Sequence, residues 1–387
     1  MSIFYHMNQP ESSATEYLPS QTIDFALDIP GRKLLKNTIR IEGNIVARTD
    51  LTNPWLPTAA GALTSCVDMA SNVKIDNAVG FHSVFDSFTC ETQSKGVLES
   101  LQNYPRFISQ HARCTLGADD MLTSKYVCEG RGGCEVNGNL VLQPIVDQAW
   151  VTGEEEQVAQ RTKSSFSLKP MVCFNRTAGG DYSFSRGGFI RVSCILAANN
   201  HALFGGGDAA NYVLENVVCR YQTIEDDGKD DPLLMRSYVN VVSSMNSTST
   251  NISARVPSQQ VSSLSMSFAK QSSIQSSEFN SYALESLPDF DSVEYLFANS
   301  LQNFITYRIT DPDDALLRGL ASMESAGHSM VSAKTLKANR GTIYGLDFSE
   351  YVDLSSQQFS LNLVVNNSIV TTDPINVFMY FNSLIQL

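Results

Sequence analysis

The sequence has 387 residues, more than the roughly 250–300 at which one hydrophobic core stops growing, so two domains are expected. Hydrophobic residues make up 43% of the chain and charged residues only 17%, below the roughly 25% that is usual in soluble domains. The formal net charge of −13 argues against sequence-independent nucleic-acid binding, which needs a basic surface. A low charged fraction indicates that neighbouring molecules cover much of the surface.

The lack of a visible targeting segment or membrane span predicts a protein that folds in a cytosol. Neither end has a Lys/Arg-rich arm or a cationic segment followed by an apolar run, and no stretch approaches about 18 uninterrupted apolar residues. We therefore expect neither a targeting segment nor a membrane span. Four cysteines lie in strand-like runs and are interpreted as small core residues: Cys90, Cys173, Cys194 and Cys219. A zinc site at Cys128 and Cys134 with His111 or His201 is an alternative.

Alternation of apolar and polar residues predicts strands throughout the first half. In Thr22–Ile29 every second residue from Ile23 is apolar, so one face is expected in a core, and Pro30-Gly31 ends the strand. The other strands predicted in this half are Thr38–Val46, Val73–Asn77, His82–Gln93, Ser165–Phe174, Gly188–Leu196 and Tyr212–Gln222.

A short helix or helical turn, interrupted at Pro105, is predicted over Gly96–Arg106. Its basis is the helical spacing of four apolar residues: Val97, Leu98, Leu101 and Ile108. Two loop-rich insertions are predicted at Ala47–Asn72 and Thr115–Gln160.

The segment Glu225–Pro232 is the best candidate for a linker, because it is acidic and contains glycine and proline. All eight cysteines precede it, which is a change of composition between the halves. We therefore predict an N-terminal domain over residues 1–225, with the long insertions, and a C-terminal domain over residues 226–387.

The second half repeats the order of elements. Predicted strands are Arg236–Met245, Leu264–Phe268, two strands or one bent strand within Asp291–Ile309, Thr342–Val352, Gln358–Val365 and Ile375–Ile385. A helix is predicted from Asp311 to Ser325, since it starts with a capping aspartate, a proline and two further acids.

Each half therefore contains about four strands, a helix and three or four further strands. Eight short strands folded as two Greek keys make a jelly roll. The predicted fold is all-β, with two consecutive eight-stranded jelly-roll barrels and a short helix after the fourth strand of each. The alternative is a large mixed β protein made of unrelated domains.

The paired β blocks, the helical segments Gly96–Arg106 and Asp311–Ser325, and the strand-forming C-terminus resemble the double jelly-roll major capsid proteins. This lineage includes tectivirus-like phages, adenovirus hexons and virophages. The resemblance implies a structural protein that forms homotrimers. Each homotrimer is then a capsomer of pseudo-hexagonal outline in an icosahedral shell. It implies contacts with neighbouring capsomers and with minor or vertex capsid proteins. It also implies that the protein is located in a virion, which is assembled in the host cytoplasm or nucleus. An internal membrane can lie beneath the viral shell, but the protein is not expected to be inserted in it.

No catalytic, cofactor-binding or metal-binding residue is predicted, and the protein is not expected to be an enzyme. The sequence contains no GxSxG, HExxH or GxxxxGK[ST] motif. The glycine run Phe204–Asp208 lacks the Lys-Ser/Thr of a phosphate-binding loop, and Glu154–Glu156 lacks the ligand spacing of a calcium loop. The five histidines are scattered, and Trp55 and Trp150 are expected either at subunit contacts or in local packing.

Two other classes of function remain open from the sequence. One is a vertex (penton) protein or a phage tail or receptor-binding protein, although fibre-type repeats are absent. The other is a carbohydrate-binding β-sandwich, which needs a pair of carboxylates in a cleft or an aromatic platform.

Overall fold

The computed structural model describes residues 2–12, 14–48, 74–76, 78–115, 128–130, 135–136, 139–140, 143–144, 163–203, 211–229, 232–258, 260–275, 281–282, 287, 289–298, 303–325, 343–356 and 358–387. Apart from the two short segments at residues 109–117 and 275–281, the chain forms one compact unit up to Leu233 and a second from Leu234 onward. The domain division after residue 225 stays a prediction. The described part of the chain contains no helix long and apolar enough to cross a membrane.

The first unit contains sixteen strands among its described residues. In chain order these are β1 (Phe4–Asn8), β2 (Glu16–Tyr17), β3 (Thr22–Leu27), β4 (Arg32–Leu34), β5 (Arg40–Arg48), β6 (Lys74–Ile75), β7 (Phe85–Thr92), β8 (Gly96–Leu101), β9 (Glu135–Val136), β10 (Asn139–Leu140), β11 (Gln143–Pro144), β12 (Lys163–Leu168), β13 (Thr177–Gly179), β14 (Tyr182–Ser183), β15 (Ile190–Leu196) and β16 (Asn211–Glu225).

The second unit contains eight described strands. In chain order these are β17 (Leu234–Met245), β18 (Ser249–Ala254), β19 (Val261–Lys270), β20 (Phe290–Ala298), β21 (Asn303–Ile309), β22 (Tyr344–Val352), β23 (Gln358–Val365) and β24 (Ile375–Gln386). The described α-helices of the chain are α1 (Tyr104–Thr115), α2 (Phe184–Gly187), α3 (Asn199–Ala202), α4 (Gln271–Gln275) and α5 (Pro312–Ser325).

The strand order of the second unit is that of a jelly roll. One sheet runs β17-β24-β19-β22, and the other runs β18-β23-β20-β21, with antiparallel pairing throughout. Counted along the chain, the first sheet takes strands one, eight, three and six, and the second takes two, seven, four and five. This interleaving is produced by two nested Greek keys.

The first unit has the same order with additional short strands. One sheet runs β12-β5-β16-β4-β14, and β1 and β2 also pair with β16. The other sheet runs β3-β15-β7-β8. If β1 and β2 are counted as one interrupted first strand, the long strands again follow the one-eight-three-six and two-seven-four-five orders. The repeated order predicted from the sequence therefore has a structural basis.

The core of the second unit lies between its two sheets. Buried side chains of β19 and β24 pack in one cluster with those of β20 and β23. The hydroxyl of Tyr295 on β20 donates a hydrogen bond to the backbone oxygen of Gly345 on β22 at 3.2 Å, so this buried polar group is paired across the sandwich. A Cβ atom on Gly319 of α5 would lie 2.2 Å from the backbone oxygen of Ile343, which shows that only glycine permits this close approach of the helix.

Three predictions about the local structure are corrected. The segment predicted as helical, Gly96–Arg106, contains strand β8, and α1 begins only at Tyr104, with Pro105 in its first turn, where proline is tolerated. The helix of each unit consequently follows the fifth long strand and not the fourth. The predicted strand Ser165–Phe174 ends as β12 at Leu168 and is followed by a 3₁₀ turn over Cys173–Arg176.

Candidate functional site

The acidic segment that follows β16 holds a buried lysine of the first unit. Nζ of Lys33 donates hydrogen bonds to Asp227 Oδ1 at 2.6 Å and to the backbone oxygen of Lys229 at 3.1 Å, and it lies 3.7 Å from Asp226. A hydrogen bond from the Ser183 hydroxyl is the main cause that lowers the pKa of Asp226. Lys33 is only 6% exposed, so these carboxylates neutralise a buried charge. The segment predicted as a linker is thus fixed to the first unit up to Lys229.

A second buried polar cluster surrounds His82. Its Nδ1 lies 2.8 Å from the Tyr104 hydroxyl, and its Nε2 lies 3.3 Å from a carboxylate oxygen of Glu129. The other Glu129 oxygen accepts a hydrogen bond from the backbone N–H of Lys169, and the Tyr104 oxygen accepts one from Met171. His82 and Glu129 are 1% and 3% exposed, so the cluster connects four chain segments inside the unit and does not face solvent.

A third cluster brings together Cys90 of β7, Glu99 of β8 and Cys173 of the 3₁₀ turn. The ligand atoms of these buried side chains all lie within 4.8 Å of one another. One Glu99 oxygen accepts the backbone N–H of Cys173 at 2.8 Å, and the other forms an ion pair with the guanidinium of Arg176. The local sequence predicts both cysteines in the core, but it contains no signal for a contact between residues so distant along the chain.

Several of the candidate residues named from the sequence lie outside the described residues. These are Cys134, Glu154–Glu156, the Phe204–Asp208 glycine run, His328, Trp55 and Trp150. Cys128 is described and exposed, and His111 and His201 lie on α1 and α3. The inner parts of the predicted insertions, including residues 49–72 and 116–127, also lie outside the described part of the chain.

The first strand exposes an apolar surface. The residues that we call the apolar stripe are Ile3, which directly precedes β1, and Tyr5 and Met7 of β1; they are 50%, 78% and 57% exposed. The alternate residues of β1 pack inward: the Arg32 guanidinium lies over the Phe4 ring at 3.5 Å, and His6 stacks on Tyr221. Apolar side chains aligned on one face of a strand are typical of contacts with another molecule.

Buried cysteine and tyrosine side chains make the first unit sensitive to alkaline pH. Burial raises the pKa of Cys219 to about 12 and that of Tyr221 to about 12. Between about pH 9 and pH 12 the unfolded chain loses a thiol proton that the folded Cys219 retains, so stability falls as pH rises. The expected slope from this one group is about 1.4 kcal/mol per pH unit.

We expect that in Cys219→Ala the free energy of unfolding falls less steeply with rising pH, by about 1.4 kcal/mol per pH unit. The measurement is the free energy of unfolding in urea from pH 8 to pH 10.5, in the presence of a reductant. Equal slopes in the variant and the parent protein would show that the Cys219 thiol titrates normally in the folded state.

Neither the search of protein-family models nor the search of curated proteins finds a match to this sequence. Solved structures do match. The Faustovirus major capsid protein has a TM-score of 0.66 at 10% identity, and the alignment covers 100% of this chain and 90% of that chain. PBCV-1 VP54, in a crystal structure fitted into a cryo-EM reconstruction of the virophage Sputnik, has a TM-score of 0.60 at 10% identity over 100% of this chain and 94% of the other.

A third match is the 3.5 Å cryo-EM structure of the Sputnik virophage, with a TM-score of 0.59 at 9% identity, covering 100% of this chain and 85% of that chain. At such low identity the similarity shows a shared fold. Together with the two interleaved strand orders, it confirms the predicted double jelly roll and the resemblance on which that prediction partly rested.

Proposed function

We propose that the chain is the major capsid protein of an icosahedral virus and that it acts as a structural subunit without catalytic activity. The observation that carries the proposal is the alignment of the whole chain, across both jelly rolls, with the Faustovirus major capsid protein and with PBCV-1 VP54. A single jelly roll occurs in many unrelated proteins, so fold alone is weak support for function. Two successive jelly rolls in one chain restrict the possible functions far more than a single one does.

The proposed assembly is a homotrimer whose six jelly rolls give a pseudo-hexagonal capsomer. We place the two domains of each chain at residues 1–225 and 226–387. Obligate interfaces of this kind bury roughly 2,000–5,000 Å². Two properties of the chain support extensive assembly contacts: only 17% of its residues are charged, and the apolar stripe is exposed on β1.

The proposal includes a place in the virion, with neighbouring capsomers and minor or vertex capsid proteins as partners. Direct contact with the genome is not part of it, because the net charge is −13 and a surface that binds nucleic acid without sequence preference must be basic. Assembly in the host cytoplasm or nucleus, and an internal membrane beneath the shell, follow only from the resemblance.

The expected result is a stable trimer in solution. Light scattering coupled to size-exclusion chromatography should give a mass three times the 42.5 kDa of the chain, unchanged on tenfold dilution. Negative-stain images of assembled material should then show hexagonal units in closed shells.

A monomer at high protein concentration would contradict the proposal. A pentamer, or five copies at each vertex of a purified particle, would assign the chain to the vertex and not to the shell facets. The control is the same protein after denaturation in guanidinium, which must elute as a single chain.

A further inference from the structure

Among the described residues, the buried cluster of Cys90, Glu99 and Cys173 brings two cysteine thiols close enough to suggest a covalent modification. The two cysteines come from distant parts of the sequence, one on β7 and the other in the 3₁₀ turn beyond β12. Both are fully buried, and their sulfur atoms lie within 4.8 Å of each other. Buried cysteines that only fill space do not need to meet in this way.

The charges around the cluster are unfavourable for a metal ion. The Glu99 carboxylate is already engaged by the Arg176 guanidinium and by the backbone N–H of Cys173, so a cation would lie beside a fixed positive charge. A hydrogen bond with Cys173, together with burial, raises the pKa of the Cys90 thiol, which disfavours the thiolate that a metal requires. A disulfide is neutral and apolar, and it suits a site without solvent.

We propose that Cys90 and Cys173 form a disulfide when the protein meets a small-molecule disulfide such as oxidised glutathione. In the first exchange one cysteine thiolate attacks the glutathione disulfide, which forms a mixed disulfide and releases one glutathione. In the second, the other cysteine attacks the mixed disulfide, which forms the Cys90–Cys173 bond and releases the second glutathione. The cysteines lose two electrons and two protons, and these reduce the oxidant to two thiols. Because both sulfurs are buried, exchange occurs during transient opening of the unit.

The bond would close a long loop of chain. Residues 91–172 lie between the two cysteines and include the predicted insertion Thr115–Gln160, so the bond would join the chain that precedes the insertion to the chain that follows it. Cross-links over long loops stabilise most in the chain-entropy model, because they remove the largest number of unfolded conformations. The reaction takes place within one chain, so its outcome does not depend on the proposed assembly.

The test is to equilibrate the full-length folded protein with oxidised glutathione or with a reductant, alkylate the remaining thiols and analyse peptides by mass spectrometry. The expected result is a peptide pair joined through Cys90 and Cys173. The melting temperature should rise by roughly 5–10 °C on oxidation and return to its starting value on reduction.

Cys90→Ala and Cys173→Ala should each abolish the redox-dependent shift, whereas Cys194→Ala, which removes another fully buried cysteine of the same unit, should retain it. The proposal is overturned if the parent protein yields no Cys90–Cys173 peptide pair, a result that does not depend on whether any variant folds. It is also overturned if the shift persists in Cys90→Ala, or if the purified protein holds one zinc ion per chain that Cys90→Ala removes.

Discussion

Replacing Glu99 with alanine is expected to lower the free energy of unfolding of the first unit by about 3–5 kcal/mol. Glu99 is 3% exposed, and its carboxylate both pairs with Arg176 and accepts the backbone N–H of Cys173. Alanine removes the carboxylate and therefore both interactions at once, and the Arg176 guanidinium loses this buried counter-charge. Urea denaturation followed by circular dichroism measures the loss.

The matched control is Arg220→Ala in the same unit. Arg220 also forms an ion pair, with Glu42 at 2.6 Å, but its side chain is 56% exposed and water can replace the lost interaction. We expect a change below about 1 kcal/mol for this variant. If both variants lose the same small amount, the Glu99 pair does not contribute to stability through burial.

The same glutamate explains why β8 was predicted as helical. In this strand the buried positions are Glu99 and Leu101, which have the period of two that a strand requires. A charged residue at a core position hides that period, and the neighbouring Val97 and Leu98 then appear to continue a helical spacing. The ion pair with Arg176 that permits the burial comes from a turn much later in the chain, so local sequence could not indicate it.

Strands with an ordinary apolar face were predicted well. Ile23, Phe25 and Leu27 of β3 are fully buried, and the predicted strand Gln358–Val365 has the same bounds as β23. Strand β18 was missed because Ser249–Ala254 is rich in polar residues and only Ile252 and Ala254 are buried. Sequence alternation therefore located strands that have one apolar face, whereas the pairing of the sheets and of Cys90 with Cys173 depends on contacts between distant residues.

The two sheets of the second unit meet through an aromatic pair. Phe381 of β24 belongs to one sheet and Phe359 of β23 to the other, and their rings lie edge to face with centroids 5.1 Å apart. Both side chains are fully buried in the same core cluster. If the second unit is an independent sandwich core, removing either ring must open a cavity between its sheets.

We therefore expect Phe381→Ala to lower the free energy of unfolding of the second unit by about 3–5 kcal/mol. Phe359→Ala should cost a similar amount, and the double variant should cost less than the two losses added, by about 0.5–1.5 kcal/mol, because the ring contact can be lost only once. Tyr351→Ala is the control: this aromatic residue of β22 is 57% exposed, and its removal should change stability by no more than about 0.5 kcal/mol. Strictly additive losses for the two phenylalanines would contradict direct packing of one sheet on the other at this point.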